Sequence, residues 1–197
     1  MFVPDEFSGD QEWMSRIIAD FPLAMVIIAE PQLALIHLPL VLAEHRLLGH
    51  LARRNLHVGA LQTGARVMVT FNGPDSYVSP RWYEERAGNV PTWNYAAVAL
   101  TCRIERVDDP VGVRSILAAE VAQFDPQWSL PDAAQPNFVA ALSEIVGLAF
   151  VPERVECKLK LSQNRSPEDR RRVIEALTWV PQRPSVRAWM EAFAREH

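Results

Sequence analysis

The sequence predicts a mainly β fold with peripheral helices, either barrel-based or α+β. Three observations carry this. Apolar runs rich in Val, Ile and Leu recur at 23–29, 33–42, 66–72, 94–107 and 154–161. Between and after them lie segments that open with capping residues and proline, as helices do. The 197 residues are 49% hydrophobic and 22% charged, which suffices for one well-buried domain.

The elements follow in order. Ser8-x-x-Gln11 resembles a capping box and predicts a helix to about Asp20. Leu23–Ala29 and Leu33–Leu42 read as strands joined in a hairpin across Glu30–Gln32, with Pro39 marking an edge or a bulge. Glu44–Asn55 carries Leu47, Leu48 and Leu51 at helical spacing and predicts a helix ending at Asn55. Arg66–Asn72 alternates as a strand, Gly73-Pro74 reads as a turn, and Tyr77–Ser79 resumes as strand. Asn94–Val107 is a long strand broken by Asp108-Asp109-Pro110. Pro110 suits the first turn of a helix reaching Phe124. Residues 125–136 form a loop, and a helix covers about Asn137–Val146. Arg154–Leu161 is a strand with Cys157, Leu159 and Leu161 on one face and Lys158 and Lys160 on the other. Ser166-Pro167-Glu168-Asp169 combines a cap, a first-turn proline and acids at the positive helix end, and starts a helix to about Trp179. Pro181–Pro184 break it, and a short amphipathic helix ends the chain. Residues 1–179 are expected to form one domain, with 180–197 as a helical extension of it.

Composition removes several function classes. No uncharged apolar run approaches the ~18 residues of a membrane span, and MFVPDEF lacks the basic region of a secretory signal. Cys102 and Cys157 lie far apart without metal spacing and read as buried, reduced thiols of a cytoplasmic protein. No HxH, HExxH or Cys/His cluster predicts a metal site. Net charge is −4 with a pI near 5.7, which opposes broad attraction to nucleic acid. P-loop, GxSxG and Rossmann fingerprints are missing from the sequence.

The most informative stretch is residues 73–95, GPDSYVSPRWYEERAGNVPTWNY. It holds all three tyrosines, Tyr77, Tyr83 and Tyr95, together with Trp82 and Trp93. Rigid, polar-tipped rings in a segment broken by Pro and Gly suggest a surface that holds something flat or meets a partner. A second concentration follows at Lys160-Leu161-Ser162-Gln163-Asn164-Arg165, which offers a cation, a hydroxyl, two amides and a guanidinium. Lys158 and Lys160 are the only lysines among 20 Lys and Arg residues.

SYVSPRWY followed by VPTWNY resembles the PaiB-like family of FMN-binding negative transcriptional regulators. MFVPDEF, IHLPL at 36–40, GHLARRN at 49–55 and KLSQNRSPEDRRRVIEAL at 160–177 agree and keep the family order. Where the family carries a longer connection and NPQW-like residues, this chain reads NLHVG. The resemblance implies an FMN-binding split β-barrel that dimerises, with flavin sites at the subunit interface.

FMN requires charge-assisted donors for its phosphate, hydrogen-bonding groups for its pyrimidine edge and apolar or aromatic walls for its rings. If the strand continues, Lys160 and Ser162 share a face and grip the phosphate. Alternatively Gln163 and Asn164 read the pyrimidine ring, with Arg165 beside them. The bland reading is that Asn164–Ser166 only turn the chain into the next helix. Trp82 or Trp93 walls the flavin or packs across a dimer, while Ser79, Thr92 and Asn94 are further contacts. His50 and Arg53, at i and i+3 of the expected helix, either face an anion together or form a solvated face. His37 is either a cofactor contact or an ordinary strand histidine. These expectations leave two functions open. One is a homodimeric FMN-dependent oxidoreductase taking electrons from a transient nicotinamide donor, with no catalytic residue assigned. The other is a regulator, either flavin-linked or a flavin-free dimer that binds DNA, haem at His37 or His50, or another small molecule.

Overall fold

The computed structural model describes residues 1–179 and 186–196. Strands β1 (Leu23–Ile28), β2 (Ala34–Pro39), β3 (Val41–Ala43), β4 (Arg46–Ala52), β5 (Arg66–Val78), β6 (Thr92–Val107) and β7 (Ile145–Lys160) form one seven-stranded sheet in the order β2-β1-β5-β6-β7-β4-β3. The helices are α1 (Gln11–Asp20), α2 (Pro110–Phe124), α3 (Pro136–Ser143), α4 (Pro167–Leu177) and α5 (Val186–Glu196). The chain divides into two compact units. The first comprises Met1–Ile17, Asn72–Val98 and Glu156–His197, and the second Ile18–Phe71 and Ala99–Val155.

In the second unit the β1–β2 hairpin forms as the sequence predicts, with Val26 opposite Ile36 and Ala24 opposite Leu38. Strand β5 pairs on the other side of β1, with Val26 opposite Val69 and Ile28 opposite Val67. These odd–even patterns bury one face, with only Ala34 at its end half-buried among the paired residues of that face. The opposite face carries Leu23, Leu35 and Met68, all exposed, with Met25 and Ile27 half-buried between them.

The helix expected over Glu44–Asn55 does not form. Residues 41–52 are instead a β-hairpin, with Ala43 opposite Arg46 and Leu47 opposite Phe150 of β7. Its two-residue turn, Glu44-His45, has φ of 48° and 66°, the double-positive arrangement that matches strand twist. Asn-Gly usually announces such a turn, and Glu-His conceals it. The three leucines satisfy helical spacing, but Leu47 and Leu51 also share one strand face, where both are buried.

Helix α2 begins as predicted: Pro110 occupies the first turn and the Asp109 carboxylate accepts from Gly112 N at 2.8 Å. The helix expected over Asn137–Val146 stops at Ser143, and β7 starts at Ile145, well before the expected Arg154. Val146–Phe150 is a continuous buried run, in which hydrophobicity alone cannot separate strand from helix.

In the first unit Asp10, rather than Ser8, caps α1, its carboxylate accepting from Trp13 N at 3.0 Å. Ser8 instead makes a β-bridge to Lys158. Gly73-Pro74 is not a turn, because β5 runs through it. Burial there switches from Val67, Val69 and Phe71 to Pro74, Ser76 and Val78. The change of phase at Asn72–Gly73 is that of a bulge. Helix α4 starts as expected, with Ser166 Oγ accepting from Asp169 N at 3.1 Å. The break expected at Pro181–Pro184 lies outside the described residues.

Both cysteines are free and buried, and burial pushes each thiol up to about 12, with Glu153 adding for Cys102 and Asp10 for Cys157. Native protein at pH 8 should therefore react slowly with a thiol-specific disulfide reagent and release both equivalents at once on unfolding. Because the folded values lie above the unfolded ones, this contribution to stability is complete below about pH 8.5 and is lost as pH rises toward the folded values.

Candidate functional site

A polar cluster lies in the first unit, where β7 ends. The chain turns sharply after Lys160, with Ser162 at φ 66°, a left-handed conformation that costs a serine strain. The strand therefore does not continue, and Lys160 and Ser162 do not share a strand face as expected. Ser162 is buried and bonded to Asn94: Asn94 Nδ2 donates to Ser162 Oγ at 2.9 Å, and Ser162 Oγ lies 3.2 Å from Asn94 Oδ1. Asn94 Nδ2 also lies 3.4 Å from Met190 Sδ on α5. Gln163 is taken up by the backbone, accepting from Leu161 N at 2.6 Å and donating to Leu159 O. Asn164 is exposed. The buried Asn94–Ser162 pair and Gln163 thus fasten the segment that carries Lys160 and Arg165.

Lys160 Nζ donates to Thr92 Oγ1 at the start of β6. Its pKa lies below the ordinary lysine value because of burial first, then the charges of Lys158 and Arg165. Lys158, 9% exposed, donates to Phe2 O at 2.9 Å, and its ammonium lies 5.8 Å from the Phe2 ring and 5.5 Å from the Tyr95 ring. The Arg165 guanidinium lies 4.4 Å from the centre of the Tyr83 ring and donates to Asn89 Oδ1 at 2.8 Å. Cations close enough to depress Lys160 are costly to assemble unless an anion joins them.

An aromatic pair stands in the same unit. Tyr77 and Trp93 meet edge to face, with centroids 6.4 Å apart and an interplanar angle of 77°, and are 43% and 52% exposed. Large rings left this open are unusual for a structural pair. Ser79 is buried, and its hydroxyl accepts from Arg81 N at 3.3 Å at the start of the 3-10 turn Pro80–Trp82. Trp82 is half-buried. Ser79, Trp82, Thr92, Trp93, Asn94, Lys160, Ser162, Gln163, Asn164 and Arg165 thus all belong to one unit. Sequence reasoning assigned no contact to Tyr77, Tyr83 and Asn89, and it singled out Lys158 together with Lys160 without giving Lys158 a role of its own. The tyrosines stood in the aromatic block it had singled out, and Lys158 stood two residues before Lys160.

His37, His50 and Arg53 belong to the second unit. His37 is exposed opposite Met25, on the apolar sheet face. His50 lies on β4 and Arg53 just beyond its end, so the shared helix face proposed for them does not exist. Arg53 donates to Asp108 Oδ1 at 2.6 Å and to Ser143 O at 2.9 Å, tying loops together. Asp108 is held below the usual carboxylate range by its hydrogen bonds to Arg106 and Arg53.

His50 Nδ1 lies 2.7 Å from Glu120 Oε2 on α2, and Glu120 is 7% exposed. That hydrogen bond raises the His50 pKa; burial opposes it, and the Glu120 charge adds to it. The stabilisation from this pair is complete below the unfolded value of about 6.5 and is lost as pH rises through the folded one. Chemical denaturation of the wild type should show stability falling across that window, and His50→Gln should flatten the fall.

Residues 1–154 match the model of a family described as "Putative FMN-binding domain". The protease synthase and sporulation protein PAI 2 of Bacillus subtilis is 33% identical over 132 residues, which cover 66% of this chain and 63% of that protein. The chain thus spans just under two thirds of that relative's length. Among solved structures, an FAD and haem binding protein from Mycobacterium smegmatis superposes with a TM-score of 0.65 at 19% identity, over 91% of this chain and 84% of that one. The flavocytochrome Anf3 from Azotobacter vinelandii gives 0.64 at 19% identity, over 81% and 72%. These likenesses establish the fold as the split β-barrel. With the sheet order, the family match and the motif resemblance in agreement, the chain belongs to the PaiB-like family of FMN-binding domains, whose cofactor is FMN.

Proposed function

We propose that the cluster around Lys160 receives the phosphate of FMN and that the protein works as a homodimeric flavin-dependent redox protein. The observation that carries this reading is the assembly of Lys158, Lys160 and Arg165 close enough to depress Lys160, beside the Thr92 hydroxyl. A phosphate dianion offset by these groups relieves their repulsion and gains charge-assisted hydrogen bonds. The open Tyr77–Trp93 pair supplies an aromatic wall for the flavin rings. Bound FMN supplies the electron-accepting chemistry, while the chain binds and orients it. A nicotinamide is the proposed donor and docks transiently. An absorption spectrum after FMN addition and desalting tests the reading. Retention of the band near ~450 nm supports it, and complete loss of flavin from folded protein contradicts it.

The proposed dimer rests on the apolar face of the β2-β1-β5 strands, where Leu23, Leu35 and Met68 are exposed. A second copy covering it would bury them. Light scattering on a size-exclusion column should show Leu35→Glu with Met68→Glu shifting the dimer to monomer.

Direct regulation through DNA finds less support. On α4, Arg171 pairs with Glu168 and Glu175, and Arg172 with Glu168 and Glu84. Arginines already engaged by carboxylates are poor counter-charges for a phosphate backbone.

A further inference from the structure

We propose that Tyr83 and Asn89 are positioning residues. They hold the Arg165 guanidinium as a preset donor, so that the site selects a phosphomonoester, FMN over riboflavin. This rests on the reading that the Lys160 cluster binds the FMN phosphate.

Arginine carries substantial rotamer freedom, and a flexible guanidinium loses much of its binding advantage when it must be ordered by the ligand. Here two contacts order it beforehand. Tyr83 is 2% exposed, so its ring is a rigid platform, and the guanidinium lies 4.4 Å from its centre. Asn89 Oδ1 accepts from Nη1 at 2.8 Å, fixing rotation over the ring and using one of five N–H groups. The platform is itself anchored. Glu84 N, the next residue, donates to Asp169 Oδ1 at 2.8 Å, and the Glu84 carboxylate pairs with Arg172. Asn89 follows Gly88, whose φ of 77° lets the loop turn back.

The Tyr83 hydroxyl identifies which part of the side chain matters. It is buried and has no hydrogen-bond partner among the described residues. A hydroxyl in that state costs the fold free energy and holds nothing in place, so the ring face is what the position supplies.

The test is titration of FMN and riboflavin into flavin-free wild type, Lys160→Gln, Arg165→Ala, Tyr83→Phe, Tyr83→Leu and Asn89→Ala, read as the ratio of the two affinities. Arg165→Ala and Tyr83→Leu should lower that ratio about tenfold. Asn89→Ala should lower it roughly threefold, and Tyr83→Phe should preserve it. A merely structural role would weaken both ligands equally and leave the ratio unchanged. If Tyr83→Leu fails to fold, Asn89→Ala with Tyr83→Phe still decides. An unchanged ratio in Asn89→Ala and Tyr83→Leu, with Lys160→Gln and Arg165→Ala lowering it, overturns this inference alone. An unchanged ratio in Lys160→Gln overturns the phosphate reading beneath it.

Discussion

Lys160→Gln should weaken FMN binding about 30- to 150-fold, the loss of a charge-assisted hydrogen bond worth about 2–3 kcal/mol, and leave riboflavin affinity close to wild type. Lys160 is already poised for an anion. Its hydroxyl partner Thr92 leaves the ammonium charge unneutralised, and both charges acting on it are positive. Glutamine keeps much of the length and a donor but removes the charge. The substitution should also raise the thermal stability of the flavin-free protein slightly, because it relieves repulsion from Lys158 and Arg165. Binding weaker but apo protein more stable is a signature that a simple folding defect does not give. Fluorescence quenching of FMN measures the first effect and thermal denaturation the second.

Gly49→Ala should destabilise the protein by about 1–3 kcal/mol, lowering Tm by roughly 5 °C for a chain of this size. A Cβ there would lie 2.5 Å from Leu40 Cδ2 and 2.9 Å from the Pro39 carbonyl oxygen. The leucine tip can move, but the backbone oxygen is held in its strand. The direction distinguishes two structures for GHLARRN. In the helix that spacing predicts, exchanging a glycine for alanine would stabilise by up to about 1 kcal/mol. In the hairpin strand that forms, the absence of a side chain is what allows β4 to lie close to Pro39 and Leu40.

That segment shows where the sequence was legible and where it was not. Helices announced by local chemistry were readable: Asp109-Pro110 and Ser166-Pro167 act as caps in place. So was the β1–β2 hairpin, because its alternation has only one face to bury. The β3–β4 hairpin was hidden, because its tight turn uses Glu44 and His45 where Asn-Gly would have signalled it. The long β7 was hidden in part, because a fully buried strand has no alternation to read.

The site was legible as composition and not as geometry. The aromatic block and KLSQNR marked the unit that holds the proposed cluster, since unusual residue types cluster in sequence there. Which side chains face a ligand depended on the turn after Lys160. The left-handed Ser162 turns Ser162 and Gln163 inward, onto Asn94 and onto the backbone. It leaves Lys160 and Arg165 as the charged donors. The pairing of Tyr83 with Arg165 spans the distance from the 3-10 turn to the start of α4, and no local pattern encodes it.

The account turns on whether the Lys160 cluster is a phosphate site, and the most direct measurement is parallel titration of the flavin-free wild type with FMN and riboflavin at two salt concentrations. FMN should bind at least about tenfold more tightly than riboflavin, and only the FMN affinity should fall as salt rises. Equal affinities for the two flavins, both insensitive to salt, would contradict it.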